Sequence, residues 1–239
     1  MTQRVNRALF IALLAASSTA MVQVAHAEEG EEATAVGVTA KVGTLGVGAE
    51  LTIPISKRFN GRLGFNSYKY SKTIDSDLNI QGSATKVEYD GDIDLNTAMA
   101  LLDWHPFAGT FRVTAGYVFN NNSVDAESKL PVGSDVQVGD NFYTIQAGDS
   151  LTGAIDFTSG PYLGLGWGNA GTKGWGFSAD LGVLYQGEPD VTLTAGGNLA
   201  AIPGIQDDLR KQEATAEDDL SSFKYYPVAS IGVSYGFSL

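Results

Sequence analysis

Three places in this 239-residue sequence carry side chains whose types and spacing could do chemistry. The first is "LLDWHPF", where His105 stands two residues from Asp103. A histidine beside an acid is part of a hydrolase triad, but the triad also needs a serine hydrogen-bonded to the imidazole. No G-x-S-x-G elbow supplies one, so His105 reads as a histidine of a short turn. The second is "DGDID", in which Asp90, Asp92 and Asp94 alternate. On a strand their carboxylates share one face. Oxygen ligands at that density suit Ca²⁺ or Mg²⁺, and a solvated acidic rim is the plainer reading. The third is "GLGWGN", with Gly164, Gly166 and Gly168. These glycines follow strand alternation with no helix behind them, so a phosphate loop is excluded. No cofactor and no enzymatic activity are expected.

Charge and composition narrow the classes further. The chain has 15 basic and 27 acidic residues, a net charge of −12, and no cysteine. Nucleic-acid binding needs lysine and arginine against phosphates and is not expected. The absence of cysteine removes thiolate metal sites and disulfides. Arg4 and Arg7 precede the apolar run Ala8 to Ala16, and "AHA" ends at Ala27. A basic start, a short apolar core and an A-x-A end describe a secretory signal peptide over 1–27. The run is too short for a membrane-spanning helix, which takes about 20 residues. The mature segment 28–239 is then an exported single domain. With 29 Gly and 7 Pro, its composition suits β-structure with tight turns.

Period-2 alternation recurs eight times. "ATAVGVTAKVG", "LGVGAELTIPI", "RLGFNSYKYS", "VEYDGDIDLNTAMALLDW", "FRVTAGYVFN", "LTGAIDFTSGPYLGLGWGN", "GWGFSADLGVLYQ" and "YYPVASIGVSYGFSL" each set apolar residues against Gly, Ser, Thr or charged ones. Short turns ("SKRFN", "HPFAGT", "NAGTKG") alternate with long polar stretches at about 72–85, 121–150 and 187–224. The second is expected to hold a small hairpin, "VQVGDNFYTI". The third holds a short helix over 204–222.

One face of these strands is too small and too uncharged for a soluble surface, where charged residues fill about a quarter to a third of positions. The tryptophans and phenylalanines Trp104, Phe107, Phe111, Trp167 and Trp175 all flank the short turns, as a membrane-interface girdle would. Both features predict inverted polarity: an all-β, eight-stranded, antiparallel up-and-down transmembrane barrel with apolar residues toward lipid. Lys41, Glu50, Arg62, Asn66, Asn96, Arg112 and Asp180 then point inward, as a lumen network that must be paired to offset desolvation.

The closing stretch "IGVSYGFSL" resembles the C-terminal assembly strand of bacterial outer-membrane barrels, with Ile231, Val233, Tyr235 and Phe237 in register and Leu239 where a Phe is usual. "LLDWHPF", "YLGLGWGN" and "FKYYPV" resemble segments of an uncharacterised group of exported proteobacterial barrels. The resemblance implies a Gram-negative outer-membrane location, contact with lipid and lipopolysaccharide, and insertion by the barrel-assembly machinery. It brings no assigned activity and no known extracellular partner. The expected role is structural or surface interaction. The alternatives are a narrow porin-like pore for ions or small solutes, a lipid A-modifying enzyme, and a soluble periplasmic binding barrel.

Overall fold

The computed structural model describes residues 35–80 and 83–238, and their side chains except those of 74–80, 83–89 and 129. The proposed signal peptide and Leu239 lie outside the described residues. The chain forms β1 (Ala35–Gly43), β2 (Gly46–Ser56), β3 (Phe59–Ile80), β4 (Ser83–Trp104), β5 (Phe111–Asn120), β6 (Ser123–Lys129), β7 (Asp135–Val138), β8 (Asn141–Thr144), β9 (Ser150–Asp156), β10 (Gly160–Trp167), β11 (Gly174–Tyr185), β12 (Asp190–Gly196), helix α1 (Ile205–Leu220) and β13 (Tyr225–Ser238).

Eleven strands make one antiparallel sheet, and β7 and β8 make a separate ribbon. Within the large sheet, β4, β3, β2, β1, β13, β11, β10 and β5 follow one another, and β5 pairs back onto β4. This circuit is a closed ring. Its seam runs from Ala35↔Ser238 to Gly43↔Ser230. The lower part of β4 pairs with β5 from Thr97↔Asn120 to Trp104↔Val113. Its upper part pairs instead with β6, from Glu88↔Lys129 to Asp94↔Ser123, and β9 and β12 extend that side. Thirteen strands therefore stand where eight were expected: eight in the ring and five in the long connections.

The stretch 72–85 was expected to be a polar loop. Residues 72–80 and 83–85 form the tips of β3 and β4, which pair without a break from Phe59↔Trp104 to Ile80↔Ser83. The run 151–169, read as one strand, is two. Beyond Asp156 the chain turns, with Phe157 N–H donating to Asn122 O (3.1 Å) and Asn120 N–H to Ser159 Oγ (2.9 Å). β9 then belongs with β6 and β12, and β10 with β5 and β11.

The five extra strands and the helix form a cap at the long-connection end. Ile155, Val191 and Leu220 are buried together there, with Val124, Leu193, Ala216 and Phe223 packed against them. Val138, Tyr143, Ile145, Leu199, Ile205 and Leu209 form a second apolar cluster. The apolar positions 205, 209, 216 and 220 lie on one side of the 3.6-residue period, so α1 is held by this stripe.

Side chains alternate in and out of the ring, and the polarity is inverted. Val38, Leu63, Phe65, Leu163, Phe177, Leu181 and Ile231 are exposed on the outside. Val183 is 45% exposed and Tyr235 36%, whereas Glu50 is 3% exposed and Arg62 4%.

Candidate functional site

The candidate site is the charged interior of the ring, and strand register explains how it is assembled. Lys41 on β1 faces the same side as Thr39, which pairs with Glu50 on β2. Arg62 pairs with Thr52 and Leu101, and Asn66 with Gly48 and Thr97. On the other wall Arg112 lies opposite Gly166, and Gly166 opposite Asp180. Glycine at 166 is what lets the guanidinium lie flat there. A Cβ at that position would stand 2.7 Å from Arg112 Nε and 2.8 Å from Asp180 Oδ1.

Three cations meet three anions. Lys41 Nζ donates to Glu50 Oε1 at 2.5 Å, and Arg62 Nη1 to Glu50 Oε2 at 3.0 Å. Arg62 Nε stands 2.7 Å from Asp103 Oδ2, and its Nη2 3.2 Å from Asp180 Oδ1. Arg112 Nη2 reaches both oxygens of Asp180 at 2.8 Å, and its Nη1 donates to Gly168 O. Thr114 Oγ1 donates to Asp103 Oδ1 at 2.6 Å. Every one of these side chains is buried. Such a set is tolerable in a low-dielectric interior because the formal charges cancel and each ion lies against at least one of opposite sign.

Asp103 is the acid that the sequence reading left out, and Asn96 is the residue it wrongly put in. β4 pairs with β3 without a shift, so the buried Asn66–Thr97 hydrogen bond (3.0 Å) fixes its phase. Thr97, Met99, Leu101 and Asp103 face inward. Asn96 faces outward and meets Asn122 through its backbone N–H (2.8 Å). Lys41, Glu50, Arg62, Asn66, Arg112 and Asp180 do line the interior. Asn66 binds Thr97 rather than the charges.

The interior is filled. Leu45, Met99, Leu101, Val118, Tyr162, Leu184 and Val228 are buried together beside the charges. The cavity between the two sets is about 10 Å³, room for roughly one water. Toward the cap, Gln186 takes a hydrogen bond from Asn120 (3.0 Å) and gives one to Phe223 O (3.0 Å). At the short-turn end Asn60 Nδ2 lies 3.2 Å from His105 Nε2 and 3.0 Å from Asn169 Oδ1. His105 Nδ1 lies 2.8 Å from Gly109 O, so Nδ1 carries the proton and Nε2 accepts. Burial holds the His105 pKa below 6.5 against that carbonyl. His105 is thus a neutral, buried plug residue.

Asp90, Asp92 and Asp94 lie on the outward face of the β4 extension. Asp94 pairs with Lys69 (2.6 Å), and Asp90 accepts from Thr73 Oγ1 (2.7 Å). With Asp125, Glu127 and Thr152, Asp90 and Asp92 border an open groove of about 240 Å³. Among the described residues no three acidic or histidine side chains group as metal ligands.

The expected girdle residues ring the short-turn end. Trp104, Phe107, Trp167 and Trp175 are exposed, and Phe111 is half-buried between Phe107 and Trp167 (centroids 6.1 and 5.6 Å). Trp175 packs edge-on to Tyr235 at 5.2 Å. A second set at the opposite rim escaped the sequence reading: Tyr117 with Phe119 (5.2 Å) and Tyr185 with Tyr225 (5.4 Å). On β13, Ile231, Val233, Tyr235 and Phe237 all face outward.

No family model matches this sequence, and no curated protein does. Solved structures do. The chain resembles CarO2 of Acinetobacter baumannii, with 26% identity over 87% of this chain and 100% of that one and a TM-score of 0.52. It also resembles CarO of the same bacterium, with 24% identity, 85% and 98% coverage and a TM-score of 0.54. The likeness spans most of the chain and supports the antiparallel β fold with one helix.

Proposed function

We propose that this protein is a sealed, eight-stranded outer-membrane barrel that carries a folded β-rich cap on the cell surface, in a structural or surface-interaction role. The observation that carries the reading is the inverted polarity, with exposed aliphatic and aromatic side chains around a ring whose six buried charges cancel. Closure satisfies the backbone, as lipid requires. The spacing of the two aromatic sets fits a bilayer. Trp175 and Tyr185 are the two ends of the outward row on β11. Ten residues at ~3.4 Å span about 34 Å along the strand, and the usual tilt of ~40° reduces this to about 26 Å. The apolar band of such barrels is about 25 Å tall.

The same reading puts the short turns in the periplasm and the cap outside. β3 and β4, at 22 residues each, are about twice the ~10 residues a membrane strand needs, so their tips carry the cap clear of the lipid. The acidic cap faces lipopolysaccharide, and the outward residues of β13 serve as the strand read by the assembly machinery. The filled interior favours a plug over a pore. The test is planar-bilayer recording of the purified protein with heat-modifiable gel mobility as the folding control. Folded protein giving no conductance steps is the expected result. Discrete steps that change with Arg112→Ala would overturn the sealed barrel in favour of a pore.

A further inference from the structure

The turn from β10 to β11 does not end at the rim. It folds back under the interior and reaches strands on the far wall. Ala35 N–H at the start of β1 donates to Gly171 O (2.9 Å). Asn60 of β3 donates to Asn169 Oδ1 (3.0 Å), and Arg112 of β5 to Gly168 O. Within the turn, Asn169 also accepts from Gly171 N–H (3.0 Å) and from Thr172 Oγ1 (2.8 Å).

Its seat is a row of glycines across the closing seam. Gly37 of β1 pairs with Gly236 of β13, and Gly236 pairs with Gly174 of β11. A Cβ on Gly37 would lie 2.1 Å from Ala170 O, and one on Gly236 1.8 Å from Thr172 O. Both distances are impossible for real atoms, so the turn can lie there only because the two seam strands carry no side chain at that level.

We infer that the Gly168–Lys173 turn is a clasp that locks the seam between the first and last strands. The β1–β13 pairing joins the two ends of the chain, which makes it the most non-local and the slowest to form. The seat exists only when Gly37 and Gly236 stand side by side. Once seated, the turn ties β1 to β3, β5 and β11 from inside and opposes peeling of the seam.

The test is hydrogen exchange of the folded protein in detergent micelles, comparing peptides of β1 and β13 with peptides of β3 and β4. Gly236→Ala pushes a Cβ into Thr172 O and should speed exchange in β1 and β13 several-fold to about tenfold, the effect of losing one or two buried hydrogen bonds, with β3 and β4 unchanged. Gly176→Ala, on β11, is the control, because its Cβ would meet only the rotatable Ser234 hydroxyl at 2.9 Å. It should leave the seam as it was. If Gly236→Ala fails to fold, Asn169→Ala decides, since it disarms the turn without touching a seam strand. Seam-confined acceleration supports the clasp. An unchanged seam, or equal acceleration throughout the ring, overturns it.

Discussion

Asp103 closes the charge balance of the interior, and the cost of removing it should show how strongly the ions depend on one another. Arg62 and Arg112 both approach it, at 2.7 and 3.8 Å. Asp103→Ala leaves a net positive charge in a buried network and should destabilise the folded protein by about 3–5 kcal/mol, the cost of breaking a buried pair. Asn96→Ala, on the outward face of the same strand, should stay within about 0.5 kcal/mol. Urea unfolding in micelles compares the two. His105 gives a pH test. Burial lowers its pKa below 6.5, so at acidic pH the unfolded chain binds a proton that the folded one excludes. Its contribution is fully present above pH 6.5 and is lost as pH falls through that value toward the folded pKa. Unfolding measured above and below pH 6.5 should show this loss, and His105→Gln should reduce it. The positions of these residues were unevenly legible in the sequence. Lys41, Glu50, Arg62, Arg112 and Asp180 alternate with bulky apolar neighbours, so their strands had one possible phase. "NTAMALLD" has apolar residues at both parities. Only the contact of Thr97 with Asn66, a tertiary fact, chooses between them.

At the scale of elements, the cap shows how a free sheet edge is closed. β12 pairs on one side with β9. On the other side Leu193 N–H donates to Glu213 Oε1 (2.7 Å) and Val191 N–H to Glu217 Oε1 (3.3 Å). Two acids one helical turn apart on α1 thus take the place of a strand, which matters because open edges invite pairing with other chains. Glu213→Ala with Glu217→Ala should raise hydrogen exchange at Val191 and Leu193 and increase self-association on size-exclusion chromatography. The β7–β8 ribbon is held to α1 through Asp208, which accepts from Asn141 (2.6 Å) and the Tyr143 hydroxyl (2.5 Å). Those bonds, Tyr143 first, hold the Asp208 pKa below 3.8. The contact is present above that value and is lost as pH falls through the lowered pKa. Asp208→Ala should release the ribbon at neutral pH, read as faster proteolysis within 135–144. Helix α1 and the ribbon were visible in the sequence as an apolar stripe and a Gly-Asp turn. β9 was read as the start of one longer strand, and β6 and β12 were not read as strands, because their solvent faces are Asp, Glu and Thr and their other faces depend on a helix distant in sequence.

At the scale of the whole molecule one inversion dominates: exposed apolar side chains outside the ring and a neutralised set of ions within. Residues from different connections cross each end of the ring, Gln186 toward the cap and the Asn169 turn at the opposite rim. Glycine placement permits both the guanidinium bridge at Gly166 and the seat at Gly37 and Gly236. The alternating pattern and the aromatic end were enough to expect this polarity from sequence. The thirteen-strand architecture required knowing that one strand, β4, serves the ring and the cap at once. The most direct test is a scan of single spin labels along β11 from Phe177 to Leu184 in reconstituted bilayers, with oxygen as the lipid-phase relaxant. Oxygen accessibility should alternate, with maxima at Phe177, Leu181 and Val183 and minima at Asp180 and Leu184. Minima at Phe177, Leu181 and Val183, or their relaxation by a water-soluble nickel complex instead, would contradict it.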